Sequence, residues 1–231
     1  MQEFNKINLK ATVIDDDGYR LLHPKAKEIL KKYPLLYTEI TGVETSLITS
    51  EILKEAIEKR YNFIFEGTMK NTRILETMRK MPKEYTKIVR VMATSNIESL
   101  LTAFERNEAQ IEVVGYGRFT NVLTHNKTYD GVLSSIQEVE KSGVPEVIEI
   151  FARTKDITMP KCIYSSNNNN NNIYSSAYEA MQKERELNKE SVKETVDKRL
   201  ADILNNRNVE KFENIQRNIL KEEIKKMMRG K

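Results

Sequence analysis

The sequence predicts an α/β fold, in which a parallel β-sheet is covered by helices on both faces. Short β-branched segments alternate with helical ones over the first 165 of the 231 residues, and this alternation is typical of βαβ units. An asparagine-rich stretch then separates this region from a charged tail with helical periodicity. The composition is that of a globular protein, because 39% of the residues are hydrophobic and 31% are charged.

Five strands and four helices are predicted in the first region from hydrophobic periodicity. The strands span 11–15, 62–66, 86–93, 146–151 and 161–164, and the helices span 43–59, 72–81, 96–110 and 120–141. Pro82 ends the second helix, Ser95 caps the third, and the fourth is expected to break or bend near Gly131. Ligands of parallel sheets bind beyond the carboxyl ends of the strands, so the residues there are the first candidates for a site.

The asparagine run divides the chain into three predicted parts, a domain over 1–165, a linker over 166–176 and a tail over 177–231. Six consecutive asparagines near two serine pairs cannot support a packed core. The tail carries apolar residues at helical spacing on both sides of 205–208, which predicts two amphipathic helices. The periodicity leaves open whether these helices pack on their own domain or dock on a partner.

Charge and composition argue against several classes of protein. The net charge is +4, and the tail from Ala177 to Lys231 holds 14 Lys and Arg against 11 Asp and Glu. Because the basic residues have acidic neighbours, no nucleic-acid partner is expected. No run of 18 apolar residues and no apolar signal segment is found, so we expect a cytoplasmic protein with no membrane partner. One cysteine, Cys162, and two histidines predict neither a disulfide nor a metal cluster.

Three consecutive carboxylates, Asp15, Asp16 and Asp17, follow the first predicted strand. Adjacent like charges repel and lose hydration at a sheet edge, so a compensating role is expected. In extended backbone Asp15 and Asp17 would point to one side and Asp16 to the other, and two carboxylates could then face one ligand. The alternative is a solvated turn in which one aspartate caps the helix that follows.

Two further stretches carry polar groups with a chemical use. The second strand ends in Glu66, Gly67 and Thr68, which offer an acceptor, a close backbone approach and a hydroxyl. Arg106 ends a helical stripe, and Arg118 follows a Gly-Tyr-Gly loop. Guanidinium groups placed in this way neutralise charge in phosphoryl transfer, although either arginine alone would be interpreted as a surface residue.

The ordered set of these motifs resembles the zeta toxin family. Its parts are V-I-D-x-D-x-x-R-x-x-H-P at 13–24, E-G-T at 66–68, V-M-A at 91–93 with a helix ending in E-R at 105–106, and R-x-T at 118–120 with a histidine at 125. The resemblance covers about residues 10–165. It implies a P-loop kinase fold and an ATP-dependent transfer of phosphate to the sugar 3′-hydroxyl of UDP-N-acetylglucosamine, with an antitoxin protein as a candidate partner.

The resemblance also implies roles for individual residues. Asp17 would be the catalytic base, Asp15, Glu66 and Thr68 would bind the sugar nucleotide, and Arg106 and Arg118 would contact the phosphates of ATP. ATP and Mg²⁺ are the implied cofactors, and no protein-held metal ligands are predicted. His23 and His125 match positions of the family pattern, and a packing or capping role is the alternative to ligand contact for each.

One part of the family pattern is not found in the 231 residues. The phosphate cradle of such kinases is a Gly-x-x-x-x-Gly-Lys-Ser/Thr loop ahead of the I-D-x-D strand, whereas the one Gly-Lys pair here is Gly230-Lys231. Only ten residues precede Ala11, too few for a strand, a loop and a helix. We therefore expect a truncated or split kinase whose domain lacks its first strand, phosphate loop and first helix. The alternative is a non-catalytic remnant that binds a sugar nucleotide or docks an antitoxin.

Overall fold

The computed structural model of the chain describes residues 10–153, 159–168, 172–206 and 211–229. The chain divides into two compact units. Met1–Thr68 and Tyr116–Phe119 form the first, and Met69–Gly115 and Thr120–Lys231 form the second. Half of the predicted asparagine run (169–171) and part of the predicted break in the tail (207–208) lie outside the described residues. No helix in the described ranges is long and apolar enough to cross a membrane.

The first unit contains a two-stranded parallel sheet and four helices. Its elements are β1 (Thr12–Asp15), α1 (Asp16–Tyr19), α2 (Ala26–Lys32), α3 (Tyr37–Ile40), α4 (Gly42–Glu58) and β2 (Phe63–Glu66), with 3-10 turns at Arg20–Leu22 and Pro34–Leu36. Val13 lies opposite Ile64 in the ladder. Both predicted strands are confirmed. The helices α1 to α3 are absent from the sequence prediction because each spans two turns or fewer and has too few residues for a periodic signal.

Helix α4 confirms the helix predicted over 43–59. Thr45, Thr49 and Ala56 are buried, whereas Leu47 is exposed. The hydroxyl of Thr45 donates to the carbonyl of Thr41 at 2.7 Å, and that of Thr49 donates to the carbonyl of Thr45 at 2.9 Å. Burial of these threonines therefore leaves no hydroxyl without a partner.

The second unit contains a three-stranded sheet and five helices. Its elements are α5 (Arg73–Lys80), β3 (Ile88–Ala93), α6 (Asn96–Val114), α7 (Val122–Ser142), β4 (Val147–Ala152), β5 (Lys161–Ser165), α8 (Ala177–Asn205) and α9 (Lys211–Met228). The side chain of Ser95 accepts a hydrogen bond from the Glu98 N–H and caps α6, as predicted, and Gly115 ends that helix in the left-handed region at a φ of 82°.

The described strands form two sheets rather than the single parallel sheet that was predicted. One sheet has the order β1-β2 and the other the order β3-β4-β5, and no ladder joins β2 to β3. β3 and β4 are parallel, but β5 runs antiparallel to β4. Residues 153–160 connect β4 to β5, and this is too short for the crossover that a parallel pair needs. The α/β class with parallel pairing and mostly helical content is confirmed.

The apolar core of the second unit lies where α5, α7 and α8 meet the sheet. Its buried members are Leu75, Met78, Val89, Ala93, Ile136, Val139, Ile148, Ile150, Tyr164, Ala177, Ala180 and Met181. Burial of a large apolar side chain of this kind stabilises a fold by roughly 1.5–3 kcal/mol.

Helix α7 passes through Gly131 without the predicted break. A Cβ at this position would lie 2.2 Å from the carbonyl oxygen of Lys70. The glycine therefore permits a close approach between the helix and the chain that follows β2, and it does not end the helix.

The tail forms the two helices that were predicted, and both pack on their own unit. Helix α8 contacts α6, α7 and all three strands of the sheet, and α9 contacts α6, α7 and α8. Arg199 on α8 forms ion pairs with Glu98 and Glu105 of α6. Arg217 on α9, which is 1% exposed, pairs with Glu108 of α6 at 2.8 Å. Of the two alternatives that the sequence left open, packing within the protein is therefore observed.

Candidate functional site

Two acidic residues end the paired strands of the first unit. The parallel register places Asp15 opposite Glu66, at the carboxyl ends of β1 and β2. Asp15 is half-buried and Glu66 is exposed. The two acidic strand ends thus meet at one edge of the sheet, as predicted, and this edge is where parallel sheets bind ligands.

Asp15 is a helix cap, so the extended arrangement predicted for the three carboxylates is wrong. Its Oδ1 accepts from the Asp17 N–H at 3.0 Å and its Oδ2 from the Gly18 N–H at 3.2 Å. Asp16 and Asp17 already belong to α1, so the alternation of an extended strand does not apply to them. The capping alternative is correct because the N–H groups that open a helix need acceptors and Asp15 supplies them.

Asp17 is held by two arginines within the first unit. Its Oδ1 accepts from Nε of Arg20 at 2.9 Å, and its Oδ2 pairs with Nη1 of Arg118, 101 residues away. The side chains of Asp17 and Arg118 are each about one-third exposed. The structure therefore brings together the proposed base and one of the two arginines proposed for ATP, and a ligand that enters here meets a partly solvated ion pair.

Arg20 is a residue whose role the sequence did not reveal. The residue is 8% exposed, and Nη1 donates to the carbonyl of Thr38 at 2.9 Å and to the hydroxyl of Thr41 at 3.0 Å. Burial raises the pKa of the neighbouring Tyr37, and the positive charge of Arg20 opposes that shift. Since the guanidinium is fixed from two sides, it can orient the carboxylate of Asp17. Arg20 is the arginine of the V-I-D-x-D-x-x-R motif. This motif marks the residue in the sequence but does not assign it a function.

The Glu66-Gly67-Thr68 segment leaves β2 as an exposed loop. The following residue, Met69, has a φ of 52°, which is uncommon for a side chain with a Cβ. The loop thus presents the Glu66 carboxylate and the Thr68 hydroxyl to solvent beside the end of β1.

Arg106 lies in the second unit, on the exposed side of α6. It differs from Arg118 in its setting, because it belongs to a regular helix whereas Arg118 belongs to the irregular segment between α6 and α7. Its contact with ATP remains a prediction.

Comparison with known proteins assigns the chain to a family. The sequence model described as Zeta toxin matches residues 5–179, which is most of the chain. The chain belongs to the zeta toxin family. The resemblance that the motifs predicted is thereby confirmed.

Individual relatives in the zeta toxin family are distant. The protein "Toxin zeta" of Streptococcus agalactiae is 25% identical over 144 residues, which cover 61% of this chain and 50% of the relative. "Toxin zeta" of Enterococcus hirae is 25% identical over 153 residues, which cover 65% and 54% of the two chains. The chain therefore spans about half the length of the curated relatives it matches.

A solved structure shows the same fold. It comes from a molecular and structural characterization of the PezAT chromosomal toxin–antitoxin system of Streptococcus pneumoniae. The match has a TM-score of 0.67 at 20% sequence identity and covers 88% of this chain and 80% of that one. At this identity the likeness concerns the fold and does not extend to the reaction.

The two histidines of the zeta toxin pattern make contacts within the protein. Nδ1 of His23 accepts from the Lys25 N–H at 3.1 Å, and Nε2 of His125 lies 2.8 Å from the hydroxyl of Ser99. Burial lowers the pKa of His125. Each side chain thus has a partner within the protein, and the choice between this role and ligand contact stays open.

Arg118 lies beside Asp17 in the first unit, and its contact with the phosphates of ATP stays a prediction. No group of three or more His, Cys, Asp or Glu side chains among the described residues could hold a metal ion. Because Mg²⁺ is often bound through one or two carboxylates together with substrate phosphates, the binding of ATP and Mg²⁺ stays a prediction.

Proposed function

We propose that the chain carries the acceptor half of a zeta-toxin-type kinase site, which transfers the terminal phosphoryl group of ATP to the sugar 3′-hydroxyl of UDP-N-acetylglucosamine. The observation that carries this proposal is the position of Asp17, in the first turn after β1 and between two guanidinium groups. Family membership over residues 5–179 supports a kinase-like toxin.

In the proposed reaction the sugar hydroxyl oxygen attacks the terminal phosphorus of ATP. A bond forms between that oxygen and phosphorus, the bond from phosphorus to the bridging oxygen of ADP breaks, and the hydroxyl proton passes to Asp17. Asp15, Glu66 and Thr68 would hold the sugar nucleotide at the edge of the sheet. Arg106 and Arg118 would hold the phosphates.

Arg118 would change partners during this reaction. It pairs with Asp17 in the structure, and a carboxylate with both oxygens engaged is a poor acceptor for a substrate proton. When ATP is present, its phosphates would draw Arg118 away and release Oδ2 of Asp17. Arg20, which is anchored on Thr38 and Thr41, would keep Oδ1 in place.

The 231 residues contain no Gly-x-x-x-x-Gly-Lys-Ser/Thr loop, which is the phosphate cradle of such kinases. The test is phosphorylation of UDP-N-acetylglucosamine by ATP and Mg²⁺, measured with the chain alone and with the chain translated together with the coding sequence upstream of Met1. We expect activity in the longer protein and little or none in the chain alone.

The catalytic assignment is tested in whichever form is active by comparing Asp17→Asn with Asp16→Asn. Both variants remove one carboxylate from α1, but only Asp17 contacts the two arginines. A positioned base contributes roughly 10²- to 10⁴-fold, so kcat should fall by at least about a hundredfold for Asp17→Asn and by no more than a few-fold for Asp16→Asn. Equal activity of the two variants would refute the role of Asp17.

The second candidate is a non-catalytic module that binds a sugar nucleotide or an antitoxin-like protein. It would use the same meeting of Asp15 and Glu66 at the edge of the sheet, without transfer of a phosphoryl group. Calorimetry separates the two candidates, because the module would bind UDP-N-acetylglucosamine or a protein partner without binding ATP and without forming product.

A further inference from the structure

A cavity of about 280 Å³ lies within the second unit at the start of α6. Its lining includes Ser95, Asn96 and Ile97 from the first turn of α6, Tyr129 from α7, and Arg185 and Lys189 from α8. None of these residues takes part in the site around Asp17.

Arg185 is a buried cation that forms no ion pair with a carboxylate of the described residues. The residue is 8% exposed, its guanidinium carbon lies 4.0 Å from the ring centroid of Tyr129, and Nη2 donates to the Tyr129 carbonyl at 3.4 Å. Its Nε is buried without a hydrogen-bond partner among the residues that the structure describes. A cation–π contact offsets only part of the cost of burying a guanidinium, and burial lowers the pKa of Arg185.

One edge of this guanidinium is available to a ligand. Nη1 has no partner among the described residues, but unlike Nε it is not cut off from solvent. Arginine binds oxyanions through two neighbouring N–H groups of the same planar fork. The side chain is therefore preorganised for an oxyanion that its own protein does not supply.

The start of α6 also lines the cavity, through Ser95, Asn96 and Ile97. The Ser95 hydroxyl accepts from the Glu98 N–H at 3.2 Å, and the Ser95 N–H donates to Asn188 at 2.8 Å. The Ile97 N–H has no acceptor among the described residues. The first N–H groups of a long helix carry partial positive charge and bind anions.

The charges around the cavity favour a single anion. Arg185 and the half-buried Lys189 are positive, and the exposed Glu186 is the one acidic side chain in the lining. Asp130 lies close enough to Arg185 to influence it but forms no ion pair with it. The side-chain Oδ1 of Asn96 is buried without a hydrogen-bond partner. Rotation of this side-chain amide by about 180° exchanges its oxygen and its NH₂ group, so that the NH₂ group can face the cavity.

We propose that this cavity binds a phosphoryl group, held by Arg185 and Lys189 and by the first turn of α6. A phosphoryl group matches it because it offers several acceptor oxygens to donors that arrive from two helices, and it supplies the negative charge that Arg185 lacks.

The proposal is tested by titrating the full chain with inorganic phosphate and following backbone and arginine Nε–H signals by NMR. The signals of Ile97 and Arg185 should shift in a saturable way. Loss of one partly exposed charge-assisted contact should weaken binding of phosphate by about three- to tenfold in Lys189→Ala. Glu186→Gln should strengthen it.

Lys183→Ala is the matched control, because it removes the same charge from the same helix at an exposed position outside the cavity. Phosphate binding should be unchanged in this variant, whereas Arg185→Gln should abolish it, with circular dichroism used to check that the fold is kept. All of the surface variants remain informative if Arg185→Gln fails to fold.

A second titration with ADP identifies the source of the phosphoryl group. If both inorganic phosphate and ADP shift the signals, and Lys189→Ala weakens both responses, the cavity recognises a phosphoryl group both as the free ion and at the end of a nucleotide. A response to inorganic phosphate alone would identify the free ion as the ligand. No saturable shift with either ligand, or equal weakening in Lys183→Ala and Lys189→Ala, would overturn the proposal.

Discussion

Asp17 shows how one side chain can be prepared by contacts that lie far apart in the chain. One oxygen is held by Arg20 three residues away, and the other by Arg118 from the segment between α6 and α7. The two contacts differ in setting, since Arg20 is buried and Arg118 is partly exposed. Arg20 thus acts as a positioning residue, whereas Arg118 would exchange Asp17 for a phosphate in the proposed reaction.

Replacing Arg20 tests this positioning role. Arg20→Met leaves the Asp17 carboxylate and the Thr38 carbonyl without their buried donor, so we expect the free energy of unfolding to fall by about 2–4 kcal/mol. Urea unfolding followed by circular dichroism measures this change. Arg79→Met, at an exposed position of α5, is the control and should lie within about 0.5 kcal/mol of the wild type. Equal stability of the two variants would contradict the role of Arg20.

His125 gives the protein a pH-dependent stability. Because burial lowers the pKa of His125 in the folded state, the unfolded state binds the extra proton more readily. Stability from this residue is therefore complete above the unfolded pKa of about 6.5 and is lost as the pH falls below it.

The comparison of wild type with His125→Gln isolates this effect from the titration of carboxylates. We expect the difference in unfolding free energy between the two proteins to increase between pH 5 and pH 7.5, as measured by urea unfolding at several pH values. A difference that does not change with pH would show that His125 titrates alike in the folded and unfolded states.

At the scale of elements, the close contact at Gly131 explains why α7 keeps a glycine in its interior. Glycine normally destabilises a helix by roughly 1 kcal/mol relative to alanine. Here a Cβ would lie 2.2 Å from the Lys70 carbonyl oxygen, so backbone must move to accept it. The sequence suggested a bend at this position because propensity does not report what packs against the helix.

We therefore expect Gly131→Ala to destabilise the protein, although alanine is the better helix former. The steric cost of overpacking is typically about 1–3 kcal/mol, which exceeds the gain in propensity. Thermal unfolding should show a lower midpoint for Gly131→Ala and a nearly unchanged one for Ser134→Ala, which is exposed on the same helix. A raised midpoint for Gly131→Ala would mean that the helix can move away from Lys70 at little cost.

At the scale of the whole molecule, the two units differ in the apolar cores that they contain. Among the described residues, the second unit has a cluster of twelve buried side chains, whereas a cluster in the first unit has three, Ala26, Ile29 and Tyr37, with Leu30 packed against it. Several large apolar side chains of the first unit are exposed, among them Leu21, Leu22, Val43 and Leu47. Local opening is favoured where few apolar contacts are lost.

Hydrogen exchange should reflect this difference. We expect the backbone amides of β1 and β2 to exchange faster than those of β3 and β4 when the native protein is followed by mass spectrometry at neutral pH. Added UDP-N-acetylglucosamine should slow exchange in β1 and β2 if the proposed site is correct. Equal protection of the two sheets in the free protein would show that both open in one cooperative step.

Local patterns were sufficient to predict the family, the order of the main helices and strands, and the cap at Ser95, because periodicity, capping and short motifs depend on residues close together in the chain. The tertiary structure decided that Asp15 caps α1, that Arg20 and Arg118 share Asp17, that β5 is antiparallel, and that the tail helices pack on their own unit. Apart from the cap and the contact of Arg20, which are local, these features depend on pairs of residues brought together from distant parts of the chain, and on which side chains are buried. Charge and spacing along the sequence do not specify such pairings, so a buried arginine without a carboxylate partner, such as Arg185, becomes visible only when the chain is folded.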